Sequence, residues 1–285
     1  MIKILVWFMF VHAGAAGAST LELSRGACAF ALGGELAGSS ASLDAIYYNP
    51  SHSVDVRGFG MNVTTFPIGL DIMDNTLLLV YSKDNLGGGV RISYMDYGDL
   101  KGLDEHARGE RIFKANDMII GFLGGYRLSD KVKLGMEFIY FKEVIDAFTG
   151  NSYNVSLGIS GNLNGRTEYG VSLRNVGTGL KFINEASSIP ITLALGGRNK
   201  VNDNLNLFGH LRISRDVPFM ISLGAEYAYD NIVSFRMGFR SVKAGILSKF
   251  STGIGFVYKR MSLDFGLSGY QNLGIKYVVS LTFKE

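Results

Sequence analysis

One cysteine, Cys28, stands in 285 residues, so no intramolecular disulfide can brace the chain. Its small, apolar neighbours point to a buried thiol, and Arg25-Gly26-Ala27 before it does not suit lipid attachment. Four prolines are too few to interrupt many hydrogen-bonded strands. Beyond residue 18 the histidines are His52, His106 and His210, too scattered for metal ligands; His106 lies among charges and His210 is expected to be solvated. Gly87-Gly88-Gly89 lacks a following Lys-Ser/Thr and is no phosphate loop, and no cofactor motif occurs elsewhere. A surplus of three positive charges, 28 basic against 25 acidic residues, is too small to imply nucleic acid. No catalytic constellation is visible in the linear order, so an enzyme is not expected. The longest apolar run, Ile4 to Val11, is well short of the roughly twenty residues a membrane helix needs.

That run has its own reading. Lys3, the apolar Ile4–Val11 and Ala16-Gly17-Ala18 form the charged, apolar and small-residue parts of a secretory signal peptide, residues 1–18. An exported chain without a membrane helix is either soluble or enters a membrane as strands, because only helices and closed barrels satisfy backbone polar groups in lipid.

What the chain does contain is alternation. In residues 261–270, Met261, Leu263, Phe265 and Leu267 alternate with Ser262, Asp264, Gly266 and Ser268. In 273–284, Leu273, Ile275, Tyr277, Val279, Leu281 and Phe283 alternate with Gly274, Lys276, Ser280 and Thr282. Period two over about ten residues is a strand signal. The pattern predicts strands at 57–66, 75–83, 87–97, 116–128, 132–142, 152–162, 166–175, 188–199, 204–215, 219–229, 231–240, 249–260, 261–270 and 273–284, about 14 in all. Strands of ~10 residues, tilted by ~45°, match the ~25 Å apolar band of an outer-membrane barrel. A soluble sandwich or lipocalin-like barrel also alternates, but with this many strands a bulky inward face leaves a core too wide to fill. The expectation is an all-β, antiparallel transmembrane β-barrel over residues 56–285.

Glycine, serine and charge then face the bore. The inward set is Arg91, Glu137, Glu168, Arg174, Arg198, Arg212, Glu226, Arg236, Arg240, Asp264 and Lys276. It can be read as a binding surface within the pore; pairing with each other and with a plug is the ordinary fate of enclosed charge. Tyr97, Tyr126, Tyr140, Tyr229, Tyr258 and Tyr270, near strand ends, are expected in interfacial girdles. Residues 24–55, rich in Ala, Gly and Ser, lack alternation, with a short helix expected around 28–36 but interrupted by Gly33-Gly34, and a turn at Asn49-Pro50. A wide polar bore leaks unless occupied, and this unpatterned stretch suits the role, so residues 19–55 are expected to form an N-terminal hatch. Loops 98–115 and 241–248 are candidate contact regions for a protein partner.

Ala29-Phe30-Ala31-Leu32-Gly33-Gly34, then Asp44-Ala45-Ile46-Tyr47-Tyr48-Asn49-Pro50-Ser51, resembles the N-terminal signature of PorV/PorQ-like outer-membrane barrels, relatives of FadL-type transporters. Asn175-Val176-Gly177, Ile189-Pro190 and Leu223-Gly224-Ala225-Glu226-Tyr227 extend the resemblance along the chain. It implies a barrel with a hatch, in which Asp44, Tyr47, Asn49 and Pro50 carry the hatch motif. It also implies an outer-membrane location, lipid contact, and passage of hydrophobic or amphipathic compounds; a PorV-like docking barrel for secreted cargo is the alternative, and a purely structural barrel a third. Three residues depart from the pattern: a single Asp44 where an acidic pair is usual, Ser51 in place of alanine, and Lys284-Glu285 after the terminal Phe283.

Overall fold

The computed structural model describes residues 19–69, 71–103, 110–129, 131–182, 185–215, 219–242, 246–270 and 274–285. The expected signal peptide at 1–18 and His106 lie outside them. The strands in chain order are β1 (Gly58–Gly69), β2 (Ile72–Lys83), β3 (Leu86–Leu103), β4 (Glu110–Ser129), β5 (Val132–Ile145), β6 (Phe148–Asn162) and β7 (Thr167–Gly177). Two short strands follow, β8 (Leu180–Phe182) and β9 (Glu185–Ser187). Then come β10 (Thr192–Lys200), β11 (Leu205–Ser214), β12 (Met220–Tyr229), β13 (Val233–Arg240), β14 (Phe250–Tyr258), β15 (Met261–Tyr270) and β16 (Gly274–Lys284).

Neighbours in sequence pair antiparallel, β7 passes directly to β10, and β1 closes on β16 from Gly60↔Lys284 to Thr65↔Val279. The result is a closed barrel of fourteen strands, with β8–β9 a side hairpin joined to β6 at Asn151↔Lys181. Closure leaves no edge among the wall strands, the condition for strands in lipid.

Parity decides the two faces. On β15, Leu263 and Phe265 are 37% and 38% exposed while Asp264 between them is 5% exposed. On β16, Tyr277 and Leu281 face outward, and Lys276, Val278 and Ser280 face in and are buried. Phe122, Phe138, Leu157, Leu223 and Phe235 continue the apolar exterior around the wall. Such an exterior would be untenable in water over this area and is what a bilayer requires.

The two ends differ. At the end where β1 starts and β16 finishes, connections are tight: Asp84, Asp230, Asn231 and Lys259 adopt positive φ in hairpin turns. The opposite end carries the long connections, including 178–191 and 241–249. The wall is also uneven, since β3 and β4 run 18 and 20 residues against 8 for β13.

Several expectations change. Of the stretch 98–115, residues 98–103 and 110–115 are strand, with Asp99–Leu103 paired to Glu110–Lys114 after a register shift beyond Asp96. Asp99, Lys101, Arg111 and Lys114 lie within the ladder, so these charges do not end it. The helix is α1 (Ala27–Ala31), ending ahead of Gly33 and Gly34, which turn the chain at positive φ as their place in the sequence suggested. Tyr97 belongs to no girdle: it shares the inward parity of Arg91, and its hydroxyl donates to Asp117 at 2.8 Å. His210 is not solvated but 4% exposed. Tyr126, Tyr229 and Tyr258 are outward and exposed.

Two outcomes test this fold. Unheated protein in dodecyl sulfate is expected to migrate apart from boiled protein, and a single common position would refute the closed barrel. Phe265→Arg, midway along β15 on the lipid face, is expected to cost about 2–4 kcal/mol of stability in bilayers.

Candidate functional site: the occupied bore

Residues 20–56 run inside the barrel. The chain starts near the loop end, where Thr20 bonds Asp117 of β4 and Glu22 accepts from Thr192 and Ser214 of β10 and β11. It crosses the middle as α1, packed on β13 to β16, and ends at the turn end as a 3-10 segment, Pro50–Asp55, against β2 to β6. Ala27 to Ser39 is buried throughout.

What lets a backbone lie so close to the wall is glycine. A Cβ on Gly135 of β5 would stand 2.1 Å from Ser51 N, and one on Gly170 of β7 would stand 2.2 Å from Ala37 O. On the far side, Gly238 of β13 would meet Gly33 N at 2.3 Å and Gly266 of β15 would meet Ala27 O at 2.7 Å. These glycines sit on the inward parity of β5, β7, β13 and β15, so bare backbone on two sides of the wall seats the hatch. That recurrence was open to sequence reading and was missed, because each glycine looked like an ordinary small residue of the inner face.

The hatch motif has defined jobs. Asp44 Oδ2 accepts from Cys28 N at 2.9 Å and Ala29 N at 3.2 Å, tying the 43–47 turn to α1, and Asn62 Nδ2 of β1 approaches its Oδ1 at 3.4 Å. Tyr47 donates to Asn62 Oδ1 at 2.9 Å. Asn49 caps the next turn by accepting from Ser51 N, and its amide donates to Ala37 O at 2.8 Å and to the wall carbonyl of Ile159 at 3.1 Å. Pro50 fills the first position of that turn, where no N–H is required. Ser51 Oγ lies 2.6 Å from Ser160 Oγ of β6, an anchor that alanine would lack.

Charges fasten the same segment. Arg25 pairs with Asp74 at 3.2 Å, Glu35 with Arg174 at 2.7 Å, and Asp55 with Arg127 at 3.1 Å and with Lys133. Ser40 N donates to Glu168, which also holds Arg198 at 2.6 Å. Within the wall, Arg91 pairs with Glu137 at 2.8 Å, and Arg236 bridges Glu226 at 2.7 Å and Asp264 at 2.5 Å. Arg240 donates to Ser268 at 2.8 Å and lies 5.6 Å from the Phe30 ring centre. Lys276 faces inward beside Gly69. Arg212 faces inward and is buried. Arg25, Glu35 and Asp55, which sequence reading did not single out, are hatch anchors; only the fold reveals their partners on distant strands.

Free space flanks the hatch unequally. At the turn end an open polar vestibule of about 730 Å³ reaches Leu43, Arg198, Glu226, Asp264 and Lys284. Toward the loop end a cavity of about 20 Å³ lies among Arg25, Tyr47, Tyr48, Arg91, Arg174 and Arg212. The latter holds about one water-sized occupant. Among the described residues no cluster of His, Cys, Asp or Glu is arranged to hold a metal.

The arrangement defines a class: a transmembrane β-barrel whose bore is occupied by its own N-terminal segment. No protein-family model and no curated protein matches the chain. Solved structures do. A toluene transporter of Pseudomonas putida, TodX, is 13% identical, with 93% of this chain and 99% of that one covered and a TM-score of 0.67. The Ralstonia pickettii toluene transporter TbuX gives 14%, 93%, 99% and 0.66, and a Pseudomonas aeruginosa FadL homologue 13%, 90%, 98% and 0.60. At such identities the likeness speaks for the fold.

Two measurements test the seating of the hatch. Gly135→Val is expected to unseat Pro50–Asp55, at a cost of about 1–3 kcal/mol or more, exposing residues 24–55 to protease while the barrel stays heat-modifiable. Burial, reinforced by Asp264 and opposed by the Ala29 and Cys28 amides and Arg236, pushes the Asp44 carboxyl up to about 7. The stability contributed by its protonated form is complete below about pH 4 and is lost as pH rises through 7. Hatch protection is therefore expected to weaken as pH rises from about 4 to about 7, and Asp44→Asn to flatten that slope.

Proposed function

We propose that the chain is an outer-membrane conduit for small hydrophobic or amphipathic compounds, gated by residues 19–55. The observation that carries this reading is a bore wide enough to conduct yet filled by a segment of the same chain, which is superfluous in a purely structural barrel. The hatch is held by hydrogen bonds and ion pairs rather than covalently, so it can shift or be bypassed. An apolar cluster toward the loop end, Ile119, Ile139, Phe141, Leu180 and Ile189, with Leu21 against it, offers an entering apolar molecule a surface beside the hatch. Support of a second kind comes from the fold relatives, described as toluene transporters and, for CymD, a monoaromatic hydrocarbon channel. The short-turn end, with both ends of the barrel sequence, then faces the periplasm.

The finer placement among PorV/PorQ-like barrels rests on the signature at residues 29–51, and co-purification of secreted surface proteins is its test.

For the conduit, deletion of residues 24–50 is expected to raise single-channel conductance in planar bilayers well above that of the intact chain. In cells lacking other hydrocarbon porins, the intact chain is expected to speed uptake of radiolabelled toluene. Unchanged conductance together with unchanged uptake would refute the reading.

A further inference from the structure

Four arginines line the small loop-end cavity, Arg25, Arg91, Arg174 and Arg212. The first three are each held by a carboxylate: Asp74, Glu137 and Glu35. Arg212 is the exception. It is 8% exposed, its Nε is enclosed without a partner, and among the described residues it makes no hydrogen bond or ion pair. Glu22, which also lines the cavity, is engaged by the hydroxyls of Thr192 and Ser214 instead. Two residues back on the same inward face of β11, His210 is 4% exposed, and neither of its ring nitrogens has a partner.

A guanidinium cannot shed its charge by deprotonation. Leaving its enclosed N–H groups without an acceptor is costly, and Glu22, a carboxylate of the same lining, is taken up by hydroxyls, so the guanidinium requires an acceptor that the described residues do not supply. The space in front of it suits one small ion, and the rest of the lining is polar: Ser156, Asn175, Thr192 and the backbone around Leu21 to Leu23. We propose that this cavity is a binding site for a single small monovalent anion of halide size, held by Arg212. The anion supplies the acceptor that the Arg212 guanidinium lacks at the point where the start of the hatch meets the wall, so its occupancy stabilises the seated hatch. The site stands on burial and partner geometry and does not depend on the conduit reading.

The test uses the full-length protein in detergent. Crystals soaked in bromide are expected to give an anomalous peak at the Arg212 guanidinium. In solution, chloride and bromide are expected to raise the midpoint of heat-induced barrel unfolding above its value in isethionate, too large for the cavity, at equal ionic strength. Arg212→Met is expected to lose this halide increment, and Arg212→Lys, which keeps the charge but not the fork, to bind bromide about tenfold or more weakly. If Arg212→Met does not fold, the lysine variant carries the comparison. Chloride is expected to displace bromide and acetate is not; displacement by acetate would contradict a halide-sized site. A bromide peak confined to the surface, or equal halide increments in wild type and both variants, would overturn it.

Discussion

Closure of the backbone ladder is the constraint from which the rest follows. Strands in hydrocarbon can leave no N–H or C=O unpaired, so β1 has to meet β16, and the pairing from Gly60↔Lys284 to Thr65↔Val279 completes the ring. Once the ring is closed, period two sorts every side chain into lipid or bore. Phe265 and Leu281 therefore go outward and Asp264 and Ser280 inward without any local choice.

A ring of this size creates the next problem, because its inner face is polar and too wide for side chains alone to fill. The chain fills it with its own backbone. Close packing of one backbone on another needs bare surface, which inward glycines such as Gly135, Gly170 and Gly238 supply. It also needs partners for the polar groups of an irregular segment. Asp44 serves the amides of α1, and Asn49 serves both a turn and the wall. The enclosed charges are mostly paired across strands, as Arg236 with Glu226 and Asp264, so they hold shape at least as much as they present a field.

The same economy of pairing makes the loop-end cavity distinctive. Around it, arginine is matched to carboxylate three times, and the fourth, Arg212, faces free space. The turn end, by contrast, opens into a broad vestibule. A hatch held more tightly by its surroundings than by its own secondary structure, whose one α-helix is five residues long, depends on those pairings for its position.

Sequence by itself determined the count of wall strands, the approximate place of each and the two faces of the wall, because alternation is a local property that survives in any antiparallel ring; the ends were less sharp, as where β6 starts at Phe148 and β10 at Thr192 rather than at 152 and 188. Gly33-Gly34 as a helix stop and Asn49-Pro50 as a turn were legible for the same reason. The continuation of β3 and β4 through 98–103 and 110–115 was not, since charge there looks like loop until the ladder is seen to run through it. Tyr97 was misassigned by its nearness to a strand end, though its parity with Arg91 points inward. Only the tertiary structure decided which distant groups meet: Arg25 with Asp74, Glu35 with Arg174, Ser51 with Ser160, and Arg212 with none. Those contacts join residues that are far apart in the chain and share no period, so they exist only after the barrel has closed around its own beginning.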